Sequence, residues 1–141
     1  MGFYINFSEF DKLKKSYSSL SKDFDQFLKD FLIDMAERII TKTKPKTPKD
    51  TGALRSHWDL GKVTGSGKEI EVEILNPMEY ATEIEYGHRI VVGTGQNKRE
   101  VGWYNGHFML KTSIDEIQQQ MPLRFERQFK AFCQAHGINN N

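Results

Sequence analysis

The residues of this sequence that could do chemistry are few and scattered. His57, His88, His107 and His136 are never four residues apart, the spacing that sets two imidazoles on one helical face around a metal, and no cysteine pair supports them. His88, with Glu85 and Tyr86 close by, comes nearest to a catalytic constellation. Glu79 and Glu83 have the spacing of paired carboxylates on a helix, but such a pair works as acid and base only in a cleft that raises one pKa, and they read better as a solvated acidic face. Gly93-Thr94-Gly95 lacks the Lys-Ser/Thr ending of a phosphate loop and the third glycine of a dinucleotide turn, so a hairpin tip is the better reading. Cys133 stands among phenylalanines and reads as a small core residue. The expectation is a chain with no catalytic residues, no metal ligands and no cofactor.

Length and charge narrow the class further. With 141 residues the chain is long enough for one core, and 10 Phe, 5 Tyr and 2 Trp supply the side chains to fill it, which argues against disorder. One cysteine precludes an internal disulfide framework, and the start Met-Gly-Phe-Tyr-Ile-Asn lacks the pattern of a signal peptide. No apolar run is long enough to span a membrane. A reducing cytoplasm is the expected place of synthesis and assembly. The net charge of +1 excludes a globally basic nucleic-acid binder.

The charge is unevenly placed, however. Arg38, Lys42, Lys44, Lys46, Lys49 and Arg55 face only Asp50 within their segment, while Glu69, Glu71, Glu73, Glu79, Glu83 and Glu85 occupy a segment with no Lys or Arg. Such poles are either solvated faces or the two halves of a head-to-tail contact between copies. A competing use of Lys42–Lys49 is contact with nucleic-acid phosphates, though without interleaved aromatics to stack on bases.

The elements that must position these residues follow from periodicity. Ser8, with Glu9 and Asp11, starts a helix carrying Phe10, Leu13, Tyr17 and Leu20, so residues 1–20 are expected to form a helical arm. Ser21 starts a longer amphipathic helix with Phe24, Phe27, Leu28, Phe31, Leu32, Met35 and Ile39 on one face, ending near Thr43 because Lys44-Pro45 and Thr47-Pro48 disfavour helix. Thr51 can cap a short turn through Arg55. Trp58, Leu60 and Val63 read as a strand, Thr64–Lys68 as a turn, and Glu69–Ile74 as a strictly alternating strand with Ile70, Val72 and Ile74 inward and the three glutamates outward. Pro77–Tyr86 reads as a short helix with Tyr80, Ala81, Ile84 and Tyr86 inward, closed by Gly87. Arg89–Val92 and Glu100–Tyr104 read as strands around an exposed loop. From His107 a last helix carries Phe108, Leu110, Ile114 and Ile117, is kinked or restarted at Pro122, and continues with Leu123, Phe125, Phe129 and Phe132; the tail from His136 to Asn141 is expected to fray. The fold class is α+β: a long N-terminal amphipathic helix and a C-terminal helix packed on a small antiparallel β-sheet, in a single domain with its core over residues 21–135.

Three short segments in order carry a resemblance. Thr47-Pro48-Lys49-Asp50-Thr51-Gly52-Ala53-Leu54-Arg55-Ser56 is followed by Tyr80-Ala81 with Glu85-Tyr86-Gly87-His88, and then by Gly106-His107-Phe108-Met109. The chain thereby resembles, over about residues 20–135, the tail-completion or tail-component family of long-tailed bacteriophages, whose pattern is Thr-Pro-x-Asp-Thr-Gly-x-Leu-Arg-x-Ser, Tyr-Ala-x-x-x-Glu-x-Gly and a Gly/Pro-x-x-Phe helix start. It departs from that pattern at Ser56-His57-Trp58, where a second Ser is common, and in its Arg89–Gly102 loop, which replaces a Pro-containing one. The resemblance implies a structural virion protein of the neck or tail, assembled in the host bacterium's cytoplasm. It implies a ring of copies, often six, that completes or caps the tail tube and joins it to the head. The implied partners are further copies of itself, the tail tube or tail terminator protein and the head connector or adaptor protein, with DNA only passing through the channel and no membrane. It places Thr47, Pro48, Asp50, Thr51, Gly52, Leu54, Arg55, Tyr80, Ala81, Glu85 and Gly87 in turn-forming and positioning roles. Arg55 is expected to make a bidentate polar contact within or between subunits. The expected subunit interface comprises Arg38, Lys42, Lys46, Lys49 and Arg55 against Glu79, Glu83 and Glu85, with Lys98 and Arg99 on the loop.

Overall fold

The computed structural model describes residues 1–6, 21–49, 52–66 and 69–137. Its elements are β1 (Gly2–Asn6), α1 (Ser21–Lys46), α2 (Ala53–Ser56), β2 (Asp59–Thr64), β3 (Glu71–Leu75), α3 (Ala81–Tyr86), β4 (Gly87–Val92), β5 (Arg99–Asn105) and α4 (Met109–Ala135). The α+β architecture agrees with the sequence: two long helices flank a three-stranded antiparallel sheet of order β1-β3-β2, and β4 and β5 form a separate two-stranded hairpin.

The helices α1 and α4, of 26 and 27 residues, run antiparallel. Each spans about 40 Å at 1.5 Å per residue. The aromatic periodicity of both sequences explains their pairing. Phe24 meets Phe129 edge-on at 5.8 Å, Phe31 meets Phe125 edge-on at 5.2 Å, and Phe27 lies 4.9 Å from Phe132. Such offset and edge contacts are the favoured aromatic geometries. Leu28, Leu32, Met35 and Ile39 continue the buried stripe on α1, while Ile114, Ile117, Met121 and Cys133 join it from α4. On the sheet side, Ile70, Val72 and Ile74 are fully buried beneath α1, as their alternation requires.

Five details depart from the sequence reading. Gly2–Asn6, expected within a helical arm, is a strand paired antiparallel with β3 (Phe3 opposite Ile74, Tyr4 opposite Glu73). Its alternation is too short to register as a period, and the free edge of β3 supplies the partner. The rest of that arm, Asp50, Thr51 and residues 138–141 lie outside the described residues. Second, α1 does not stop near Thr43 but runs through Pro45 to Lys46, because a later side chain holds its last carbonyls, as described below. Third, Glu71 and Glu73 are half-buried in a central strand, and the Tyr4 hydroxyl donates to Glu73 at 2.8 Å. Fourth, Tyr86, Phe108 and Leu123 point outward rather than into the core. Tyr86 and Phe108 meet edge-on at 6.4 Å instead. Fifth, α4 is continuous through Pro122.

Candidate functional site

The residues of the Thr47–Ser56 segment close the C-terminal end of α1. A helix leaves its last carbonyls without intrahelical partners. Here the Thr47 hydroxyl donates to Thr43 O at 2.8 Å and the Thr47 N–H to Lys44 O at 3.1 Å. Arg55 then reaches back: its Nε and Nη2 both donate to Thr47 O, at 3.2 and 2.7 Å, and Nη2 also to Pro45 O at 3.3 Å. The bidentate contact expected of Arg55 is therefore made within the chain. Trp58, 2% exposed, donates its indole N–H to the Thr47 hydroxyl at 2.9 Å. Thr47 is buried among these partners. Gly52 precedes α2 with φ +71°, the left-handed angle that glycine tolerates. Leu54 packs in the core, and its carbonyl accepts from the buried Asn76 amide at 2.7 Å.

A second cluster is built by the Tyr80–Gly87 and Gly106–Met109 segments. Tyr80 is half-buried before α3, and Ala81 is fully buried. Glu85 has no exposed surface. Its two carboxylate oxygens accept the N–H groups of Leu110 and Lys111, each at 2.9 Å, at the first turn of α4. A negative group suits a helix N-terminus, where free N–H groups and the positive end of the dipole converge. The chain enters that turn through Phe108 at φ +46°, whose N–H donates to Glu85 O at 3.0 Å, while the His107 N–H donates to Ile84 O at 2.9 Å. Gly87 ends α3 at φ +87°, where a β-carbon would collide with the Tyr104 carbonyl, and a β-carbon on Gly106 would collide with the backbone of Glu85 and Tyr86. The base of the β4–β5 hairpin is thus packed backbone on backbone at the start of α4.

From this base the hairpin stands out from the body. Ile90, Val91, Val92, Val101, Trp103 and Tyr104 are 37–56% exposed. Arg89, Lys98 and Arg99 are exposed beside them. Arg89 and Glu100 approach no closer than 3.9 Å. The loop Gly93–Arg99 is exposed throughout and contains one 3-10 turn, Gly95–Asn97. His88 and Tyr104, paired across the hairpin, meet at a tilt with ring centres 5.1 Å apart, and the Tyr104 hydroxyl lies 2.9 Å from His107 Nε2. His88 Nδ1 is buried without a hydrogen-bond partner among the described residues.

The two charge poles do not survive intact as free surfaces. Lys42 and Lys46 both bind Glu116 of α4, at 3.0 and 2.7 Å, and Lys46 also donates to Ser113 at 3.1 Å. The hydrogen bond from Lys46, seconded by that from Lys42, holds the Glu116 carboxyl below the usual carboxylate range. Arg38 pairs with Asp34 at 3.2 Å, Arg55 is bound to backbone, and Glu85 is buried. Glu85 was expected both to position the short helix and to meet basic residues of a neighbouring copy; buried as a cap, it is corrected on the second count. Helical spacing alone did not show that its face points at the start of α4. Lys49, Glu79, Glu83, Lys98 and Arg99 remain exposed. The hairpin's outward apolar residues were legible only as strand. The run Ile90-Val91-Val92, apolar on both faces without a second covering layer in the sequence, is the signal that points outward. Among the described residues no group of His, Cys, Asp and Glu is placed to hold a metal ion, and no helix is long and apolar enough to cross a membrane.

In comparison with known protein families, the HK97-gp10-like family model, described as "Bacteriophage HK97-gp10, putative tail-component", matches residues 11–87, more than half of the chain. No curated protein and no solved structure matches it.

Proposed function

Because this chain belongs to the HK97-gp10-like family of bacteriophage tail components, we propose that it is a structural protein of the virion's neck or tail, whose copies form a ring that completes the tail tube and joins it to the head connector. The role is architectural rather than catalytic. The observation that carries the reading is the β4–β5 hairpin, a well-anchored element whose apolar and aromatic side chains face outward. A two-stranded hairpin is marginal in water by itself, and contiguous exposed apolar surface marks a contact with another molecule. The partners are other copies of the chain, the tail tube or terminator protein and the connector or adaptor protein, in a particle assembled in the host cytoplasm. DNA would pass through the ring without being gripped. The alternative, a nucleic-acid module using Lys42–Lys49, is disfavoured because Lys42 and Lys46 already share Glu116.

Negative-stain microscopy of tails from particles made without this protein, with and without added purified protein, tests the reading. Added density at one end of the tube and recovered head joining are expected. Tails that join heads equally well without the protein would sink it.

A further inference from the structure

We propose that the β4–β5 hairpin of one copy lies on the outer face of the three-stranded sheet of the next copy. The inference rests on the assembly role proposed above and names the two surfaces through which copies meet.

The first surface is the hairpin. Trp103 and Val101 are 56% and 51% exposed, and Val91 is 50% exposed. Three cations, Arg89, Lys98 and Arg99, accompany them, with Glu100 the single acid on the two strands. Aromatic and Arg side chains of this kind are the usual anchors of protein interfaces.

The second surface is the side of the sheet turned away from α1. Val72 and Ile74 point to the core, so Glu71, Glu73 and Leu75 occupy the opposite face, with Tyr4 across from Glu73 and Asp59 across from Leu75. Tyr4 is 51% exposed. Among the described residues, the helix that packs extensively on β3 is α1, on the other face. Its charge is opposite to the hairpin's: three carboxylates, with Lys62 the sole cation of the three strands. It also presents apolar surface at Tyr4 and Leu75. A cationic, apolar ribbon and an acidic, partly apolar sheet face are complementary in charge, and sheets stack at about 10 Å.

Three arguments favour this pairing over others. The free edge of β2 is unsuited to strand addition, because its register is broken between Leu60 and Val63, at a bulge where the Glu73 carboxylate occupies the place a side chain at Gly61 would need. The β2 edge is therefore a poor site for a neighbouring strand. The internal bonds of Lys42, Lys46, Arg55 and Glu85 weaken the other opposite-charge pairing the sequence offered, leaving Lys49, Glu79 and Glu83 exposed from it. A nucleic acid would use the cations and Trp103, but it would leave Ile90, Val91, Val92 and Val101 without apolar partners and would meet Glu100. Because the two surfaces differ and lie on one chain, the contact is heterologous, the kind that propagates around a ring.

The test uses the full-length protein, alone and on purified tail tubes. Val101→Cys copies mixed with Glu71→Cys copies should form an oxidised cross-copy link, with the native Cys133 buried away from it. Lys98→Glu with Arg99→Glu should weaken self-association at least about tenfold, and Glu71→Lys with Asp59→Lys in the same chain should restore part of it. Circular dichroism and thermal melts confirm that each variant folds. Copies that assemble without the 101–71 link, and whose association changes less than about twofold on hairpin reversal, would overturn the inference while leaving the assembly role standing. Copies that never associate, in solution or on tubes, would overturn both. Salt-sensitive binding to a DNA oligomer that is lost on hairpin reversal, with self-association intact, would make the hairpin a nucleic-acid grip and overturn the inference.

Discussion

The carboxylate of Glu85, at the end of a six-residue helix, accepts the backbone N–H of Leu110, at the start of a 27-residue one, at 2.9 Å. A second bond, from the Lys111 N–H, completes the cap. The contact joins three things: the short helix, the origin of α4 and the base of the exposed hairpin, which leaves the chain two residues after Glu85. The hairpin's direction is therefore set by a buried charged cap, and a change there should be felt at the surface where copies meet.

Removing that cap should be costly. Glu85→Ala leaves two helix N–H groups buried without acceptors, so stability should fall by roughly 2–4 kcal/mol in urea titration. Glu85→Gln keeps one acceptor oxygen and should lose about half as much. The amides of β4 and β5 should exchange faster in the Ala variant than those of β3. A loss below about 1 kcal/mol for Glu85→Ala would mean that the cap does not hold the junction.

Gly87 tests the same junction by geometry. It sits at φ +87°, and a β-carbon there would collide with the Tyr104 carbonyl and the Gly106 nitrogen, both backbone atoms that cannot swing aside. Gly52 also has a positive φ, +71°, but among the described residues nothing lies within 4 Å of its missing β-carbon. Gly87→Ala should therefore cost more than about 3 kcal/mol and distort the hairpin, while Gly52→Ala should cost only about 1 kcal/mol of left-handed strain. Equal losses, measured by thermal melts, would show that backbone crowding at Gly87 is not limiting.

Much of this molecule was legible in its periodicities. The stripe from Phe24 to Ile39 and the alternation Ile70-Val72-Ile74 each specify one buried face, and both are buried. Pairings remote in sequence were not legible. Nothing in Gly2–Asn6 announces a partner 69 residues away, yet Tyr4 reaches Glu73. Pro45 signalled a helix end because propensity is local, while Arg55, ten residues later, satisfies the Pro45 and Thr47 carbonyls and extends the helix. The motif residues were located by resemblance, but which groups Arg55 and Glu85 meet depends on where their elements fold, and both bind backbone within the chain.

The Arg55–Thr47–Trp58 clasp should behave as one unit. Arg55→Lys keeps the charge but loses the fork that binds one carbonyl twice, and Thr47→Val strands the buried Trp58 N–H. Each should cost roughly 1–3 kcal/mol. The double variant should lose less than the sum, because both changes loosen the same end of α1. Strict additivity in a double-mutant cycle would show two independent contacts.

The aromatic seam between α1 and α4 should carry a large share of the stability. Phe31 is 1% exposed and meets Phe125 edge-on. Phe31→Ala should lose roughly 3–5 kcal/mol through lost burial and the cavity left behind. A loss below about 1 kcal/mol in denaturant titration would mean that the helices part without penalty there.

The charged end of the same helix pair should titrate. Lys46 and Lys42 hold the Glu116 carboxyl below its ordinary range, the Lys46 hydrogen bond being the larger influence. A carboxylate whose folded pKa is depressed contributes stability above its unfolded pKa of about 4.3, and that contribution is lost as pH falls through the folded value. Wild-type protein should therefore lose stability on acidification below about pH 4 more steeply than Lys46→Met, which lacks the stronger hydrogen bond. NMR titration should place the Glu116 carboxyl below the usual carboxylate range in the wild type and return it toward that range in Lys46→Met. The substitution has a second reading in assembly. If Lys46 serves the helix pair rather than a neighbouring copy, Lys46→Met should leave ring formation and tail completion unchanged while altering the acid limb of stability. Loss of assembly with an unchanged Glu116 titration would reverse that assignment and return Lys46 to the surface between copies.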